Sequence, residues 1–412
     1  MAVIRPFKAV RPRKELAGRV AALPYDVYNR KEALAEVNKE PLSFLCIDRA
    51  ETGLNASVEA YHPLVYEKAK ELLGKMVNDG IFITENKACY YIYELTMEGR
   101  EQTGIVACAS IDDYLNDTIK KHEKTRTDKE RDRINHVDIC DAQTGPIFLA
   151  YRSVAVIDQI VGKTKTSEAV YDFISPDAIK HRCWIIDNEE DIDALYKAFE
   201  QVHHIYIADG HHRAASAVKV GLKRREENPG YQGEEAFNYF LSVLFPHNQL
   251  KILSYNRVVK DLNQNLTDRF LNKISENFMI EENGEEPYTP NQKGKFGMFL
   301  DDKWYILTAK AHILSDNPVG GLDVSILQDN LLSPILGIAD PKTDKRIDFV
   351  GGIRGLKELE KRCHTDMKVA FSMYPTSIEE LFDIADANEL MPPKSTWFEP
   401  KLRSGLFIHK LK

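Results

Sequence analysis

The chain has no long apolar run. Its longest nearly apolar stretch is FNYFLSVLF, residues 237 to 245, whereas a membrane-spanning helix needs roughly 20 apolar residues. The N-terminus, MAVIRPFKAVRPRK, holds no apolar segment of signal-peptide length. Both absences point to a cytoplasmic protein with no membrane partner. Cysteine is sparse: there are six, at 46, 89, 108, 140, 183 and 363, with no C-x-x-C pair. That pattern suits reduced thiols rather than a disulfide scaffold or a zinc ribbon. Positive charge is in the minority, with 55 Lys and Arg against 63 Asp and Glu, a net charge of −8. An acidic chain argues against a broad nucleic-acid surface. The familiar nucleotide motifs are missing as well. There is no G-x-G-x-x-G, Gly162-Lys163-Thr164 lacks the leading glycine of a P-loop because Ile157 stands there, and Asp172-Phe173 is followed by Ile174 rather than glycine.

What is present is an ordinary globular composition, 43% hydrophobic and 29% charged, over 412 residues. Such a length suggests two or three domains or subdomains. Residues 1 to about 60 read as ordered loops. HPLVYEKAKELLGKMVNDGIF has apolar residues at helical spacing and stops at Asp79-Gly80. ACYYIYELTMEGREQTGIVACASI reads as a hairpin turning at Gly99, and GKFGMFLDDKWYILTA as a second turning at Asp301-Asp302. Helices are expected over DNEEDIDALYKAFEQV, NLTDRFLNKISENF, LDVSILQDNLLSPILGI and IRGLKELEKRCH, and strands over FNYFLSVLF and LKILSYNRVV. The tail, from MPPKSTWFEP onward, reads as a loop and a final strand. Strands and helices mix without strict alternation, so the class is α+β, or mixed α/β.

The stretch ADGHHRAASA, residues 208 to 217, stands out. It follows the strand-like HHIYI and runs into the helix-like AVKVGLKRR, closed by Pro229-Gly230. A helix N-terminus has unsatisfied N–H groups and a partial positive charge, which makes it an anion site. Here Asp209 can cap the helix. Gly210 allows a tight turn and a close ligand approach. His211, His212 and Arg213 can donate hydrogen bonds, with Arg213 able to grip phosphate oxygens. Metal binding through the two histidines is disfavoured, because adjacent positions do not share a helix face. A second candidate is KHEKTRTDKERDR, residues 121 to 133, in which Glu123, after His122, can serve as general base and Arg126 can pair with an anion. Charge runs of this kind usually form solvated faces. A third is Lys394-Ser395-Thr396, a lysine and two hydroxyls in a loop that suit a phosphate or a carboxylate.

The pieces RPFKAVRP, LPYDVY, SFLCIDRAE, KKHEKTR, AQTGPIFLAY, ADGHHR and MPPKSTWFEPKLRSGL, in that order, resemble nearly end to end the bacterial and archaeal family known as domain of unknown function 1015. The DGHHR piece also resembles the phosphate-binding motif of the ParB/sulfiredoxin-like superfamily, including its free serine kinases. The resemblance implies an N-terminal α+β segment over 1–118, a ParB/sulfiredoxin-like catalytic core over 119–260, and a C-terminal α+β segment over 261–412 whose tail loop can return to the active site. Free serine kinases move a nucleotide phosphate onto free L-serine to give O-phosphoserine. They combine a Glu after a His with a DGHHR turn, and His122-Glu123 and Asp209 to Arg213 match that order. Sulfiredoxins carry a catalytic Cys where His211 stands, so sulfinic-acid repair does not fit.

By this resemblance the chain is a phosphotransferase using ATP or ADP with Mg²⁺. Glu123, His122 and Asp209 serve catalysis, and Gly210, His211, His212 and Arg213 hold the nucleotide phosphates. Arg126, Lys394, Ser395 and Thr396 are candidates for the acceptor, with Arg11 and Arg49 behind them. Two other readings stay open: a ParB-like nucleotide switch that hydrolyses slowly, and a metal-dependent phosphohydrolase working through His211 and His212.

Overall fold

The two hairpins form where the alternation places them. Tyr90–Met97 pairs with Arg100–Ser110 around Glu98 and Gly99, both at positive φ, and Lys295–Leu300 pairs with Lys303–Ala309 around Asp301 and Asp302, also at positive φ. Two successive residues in that region match the right-handed twist of the strands they join. A computed structural model describes residues 1–412. It is mixed α/β and divides into two units, Met1–Leu250 with Pro400–Lys412, and Lys251–Glu399. No helix is long and apolar enough to cross a membrane.

In the first unit eight strands run in the order Ile119–Lys120, Ile205–Asp209, Ile147–Tyr151, Tyr239–Pro246, Arg100–Ser110, Tyr90–Met97, Lys180–Ile186 and Tyr171–Ile174, and Ile4–Arg5 adds to Arg100–Ser110. Three segments were expected, but the boundary at 118 cuts this sheet: Tyr239–Pro246 lies antiparallel to Arg100–Ser110, with Leu241 opposite Cys108. Sheet neighbours far apart in the chain leave no local signal, so composition alone does not reveal them. The tail belongs partly to this unit, where His409–Lys410 pairs with Ala142–Gln143.

Helix His211–Glu227 follows strand Ile205–Asp209 directly. Its small residues Ala214 and Ala217 join Ile205, Ile207 and Leu149 in the core. Gly221 sits so close that an added Cβ would lie 2.5 Å from the Phe237 carbonyl oxygen. Helix Thr127–Cys140 packs along this helix, and the charge run expected as a solvated face supplies its first turns. Glu130, Asp132, Arg133 and His136 are buried there. Ion pairs join the apolar contacts between the two helices: Lys219 pairs with Glu130, and Lys223 with Asp138 at 2.6 Å, beside Val220 packed with Ile134 and Val137. Another helix, Arg30–Lys39, lies where loops were expected, started by a capping box of Asn29 and Glu32.

The second unit is a six-stranded sheet in the order Phe278–Gly284, Lys303–Ala309, Lys295–Leu300, Val369–Ser372, Tyr255–Val259 and Ile347–Gly351. Helices Thr267–Asn277 and Leu356–Thr365 fall where their patterns predict. The segment LDVSILQDNLLSPILGI is helical only over Asp323–Leu327 and then widens to a π-turn at Gln328–Leu332.

Candidate active site

The chain enters the DGHHR turn through a register shift between Ile207 and Asp209. Such a bulge re-aims the side chain that follows it. Gly210 then adopts φ 98° and ψ 30°, a conformation that glycine adopts without strain. An added Cβ would meet Arg213 Nε at 3.0 Å, so both backbone and space require glycine. Gly210 is the N-cap and no side chain caps the helix. The first intrahelical bond is from Ala214 N–H to the Gly210 carbonyl, 2.9 Å. The N–H groups of His211, His212 and Arg213 therefore stay free of helix partners, the arrangement that holds anions at helix starts.

Asp209 does not cap the helix, contrary to expectation. Its carboxylate accepts from Lys401 Nζ at 3.1 Å and stands 4.0 Å from Arg213 Nη2. Burial pushes this carboxyl up, but Lys401 and Arg213 outweigh it and hold it well below the usual range. The tail thus returns to the turn through Lys401. Sequence reasoning passed over that residue although it lies within a family-matching piece.

The two histidines also differ from expectation. His211 Nε2 accepts from the His122 backbone N–H at 3.5 Å, and His212 Nε2 accepts from the Arg126 backbone N–H at 2.9 Å. Each ring latches the HEKTR loop onto the helix start, and only its Nδ1–H remains to donate. His211 Nδ1 lies 3.9 Å from Glu123 Oε2, so the tautomer that latches the loop directs its proton toward Glu123. The structure therefore brings Glu123 to the turn despite the long separation in sequence. The His122 ring stands edge-on to that of His211, centroids 4.5 Å apart. Burial pushes His122 down to about 4 and His211 well below its ordinary value. Both are neutral near pH 7. The buried His122 Nδ1 has no hydrogen-bond partner.

Arg213 is turned differently from a simple phosphate grip. Its Nη1 donates to the Pro146 carbonyl at 2.7 Å, and behind it lies a small recess. Asp48, Arg133, Thr144, Arg213 and Ser404 line it, together with Tyr25. LPYDVY, SFLCIDRAE, AQTGPIFLAY, ADGHHR and the tail each contribute a residue, so five pieces dispersed along the chain converge here. Only Arg213 among these lining residues was singled out from sequence. Asp48 sits in an apolar-looking run, and Arg133 in a charge run, so neither broke its local pattern.

The remaining candidates fall elsewhere or face outward. The Arg126 guanidinium is exposed and pairs with Asp128 at 2.9 Å, so only its backbone takes part in the turn. Lys394, Ser395 and Thr396 belong to the second unit. There the Lys394 carbonyl accepts from Arg257, and Ser395 donates to the Pro392 carbonyl. Arg11 is held by Glu85 at 2.6 Å and Arg49 by Glu51 at 2.6 Å. Gly162-Lys163-Thr164 ends the helix Ala155–Thr164 and forms no phosphate loop.

Against known proteins, the sequence matches the family described as "Protein of unknown function (DUF1015)" over residues 4–325. The chain belongs to that family. No curated protein matches it. Among solved structures it aligns with a free serine kinase in complex with AMP, at 15% identity and a TM-score of 0.34, over 73% of this chain and 91% of that one. It also aligns with SbnI from Staphylococcus aureus, truncated at its C-terminus, at 11% identity and a TM-score of 0.38, over 72% and 85%. A conserved hypothetical protein from Pyrococcus furiosus aligns at 15% identity and a TM-score of 0.35, over 74% and 94%.

Proposed function

We propose that the chain is a small-molecule kinase that moves a nucleotide phosphate onto the hydroxyl of free L-serine. The observation that carries this reading is the pairing of two parts. Free helix N–H groups at His211 to Arg213 offer an anion cradle, and Glu123 stands at their edge, 3.9 Å from His211 Nδ1. A cradle alone binds a phosphate; a carboxylate oriented beside it adds a base. In the reaction the serine oxygen forms a bond to the terminal phosphorus of ATP or ADP. The bond from that phosphorus to the leaving phosphate oxygen breaks, Glu123 takes the hydroxyl proton, and the nucleotide departs one phosphate shorter. The neutral His211 Nδ1 faces Glu123 Oε2 at 3.9 Å and leaves the carboxylate its capacity to accept a proton. Nucleotide-bound Mg²⁺ keeps most of its waters and needs only one or two carboxylates; Asp209 at the turn would supply one. When bound, Mg²⁺ neutralises charge on the phosphates. A ParB/sulfiredoxin-like core and a cytoplasmic setting accompany this reading.

Incubation of the purified chain with Mg²⁺, L-serine and either ATP or ADP tests it, with phosphorus NMR or mass spectrometry as the readout. O-phosphoserine from one donor is the expected result and names that donor. Nucleotide binding with no phosphorylated serine from either donor would remove the kinase reading and favour a nucleotide switch.

A further inference from the structure

The tail of the chain brings a lysine to the turn and fixes the backbone that carries it. Ser404 exchanges two backbone hydrogen bonds with Ala22, at 2.9 and 3.2 Å. Arg403 is buried. Its Nη2 donates to both carboxylate oxygens of Asp177, at 2.7 and 2.5 Å, and to Ser175 Oγ at 3.2 Å. Lys401 is therefore presented from a pinned segment. Its Nζ donates to Asp209 Oδ2 at 3.1 Å. The Lys401 side chain is 19% exposed and that of Asp209 35%, so this ion pair lies where a ligand can reach it.

Asp209 stands directly before Gly210, and the N–H groups of His211, His212 and Arg213 follow without helix partners. Such a helix start holds a phosphate. A nucleotide able to give one away carries at least one phosphate more, and that added charge calls for a cation. Arg213 is drawn back by the Pro146 carbonyl, and the exposed Arg126 guanidinium is held by Asp128. The buried His122 Nδ1, within reach of the Asp209 charge, has no hydrogen-bond partner, and a buried polar atom left so is costly until something meets it. An ammonium has three donors on a flexible stem, so it can bridge a carboxylate and a phosphate oxygen without moving its backbone. We propose that Lys401 binds the nucleotide phosphate next to the one in the helix cradle, bridging it to Asp209, and so selects a di- or triphosphate over a monophosphate. The inference rests on the kinase reading for the kind of ligand, while the contact is one of binding and is tested as such.

The test is calorimetric titration of the full-length chain and of Lys401→Met with AMP, ADP and ATP, each with Mg²⁺. The unaltered chain is expected to bind ADP or ATP more tightly than AMP. Lys401→Met should weaken the longer nucleotide by at least about tenfold, since a charged hydrogen bond is lost, and leave AMP within about twofold. Lys401→Arg keeps the charge and should recover part of the loss. Equal weakening of AMP and the longer nucleotides would mean that Lys401 only supports the turn, and unchanged affinity for ADP and ATP would mean that it touches no phosphate; either overturns the proposal. If Lys401→Met fails to fold, the unaltered chain decides. Acetylation of Lys401, followed by peptide mass spectrometry, should slow with ADP or ATP and not with AMP, and equal rates overturn the proposal. No binding of any of the three nucleotides overturns it together with the kinase reading. A Lys401-dependent preference for ADP or ATP without O-phosphoserine formation would reject the kinase reading alone and keep the phosphate contact.

Discussion

In the first unit His122, His136, His181 and His211 are buried beside Asp48, Glu130 and Arg133. In the second, the buried charges are fewer and Arg257 and Asp323 are bound mainly by backbone groups. Arg257 donates to the carbonyls of Tyr255 and Lys394 and lies over the Phe349 ring. Asp323 accepts from the Gly294 N–H at 2.9 Å. The difference is in what the buried groups face. Those of the second unit are satisfied by nearby backbone and pin strands and loops. In the first, His122, His136, His211, Asp48 and Arg133 come from distant segments and gather around a turn and a recess, while His181 is held apart from them by Tyr93, Ser175 and Arg403. Burying ionisable groups costs stability, and perturbed groups collect at functional sites. On the kinase reading, the comparison assigns chemistry to the first unit and scaffold to the second.

The largest effect on nucleotide binding should come from the glycine of the turn, and a glycine of the second unit is its control. Gly210→Ala must force φ 98° on an L-residue and place a Cβ 3.0 Å from Arg213. We predict a loss of nucleotide affinity of at least about tenfold, with a stability cost above about 1 kcal/mol. Gly284→Ala, at φ 66° with nothing within 4 Å, should cost about 1 kcal/mol and leave nucleotide binding alone. Nucleotide titration and thermal melting of both variants check this.

A second contrast is acid sensitivity. Burial pushes His122 and His409 down to about 4, and His136 and His181 to about 3. In the unfolded chain histidine titrates at about 6.5, so below that pH the unfolded state takes up protons that the fold refuses. Their stabilisation is complete above about pH 6.5 and is lost as pH falls through 4 toward 3. The second unit has only His312 and His364, both exposed. Hydrogen–deuterium exchange from pH 7 to pH 4 should therefore show the first unit opening before the second. Simultaneous opening would break the contrast.

The smallest effect concerns Asp323. Burial pushes its carboxyl up to about 7, opposed by the Gly294 N–H. A raised carboxyl stabilises when protonated, and that contribution is lost as pH rises through 7. Asp323→Asn should melt slightly above the parent at pH 8 and close to it at pH 5, with unchanged nucleotide binding.

Elements with strong periodicity were legible in the sequence: both hairpins, helix Pro63–Asn78 and the strand and helix flanking the DGHHR turn. Helix Thr127–Cys140 was not. Its packed side mixes Ile134, Val137 and Cys140 with the buried Glu130, Asp132, Arg133 and His136, so no clean apolar stripe stands out. The order of strands was also hidden, since Ile147–Tyr151 meets Tyr239–Pro246 in parallel across a long stretch of chain. At the site, the DGHHR turn was legible because consecutive polar residues interrupted a strand-to-helix pattern, whereas Glu123 was singled out from a charge run and by the family resemblance. Asp48, Arg133 and Lys401 were not, because each matters only through partners remote in sequence. The roles of His211 and His212 as acceptors from a loop backbone depend on ring geometry, which no residue pattern encodes.

The most direct test of the kinase reading is Glu123→Gln, with turnover and nucleotide binding measured on the same preparation. The account predicts that turnover falls by at least about 100-fold, as loss of a general base does, while nucleotide affinity holds within about twofold. Unchanged turnover, or turnover and nucleotide affinity falling together, would contradict a base poised beside the phosphate cradle.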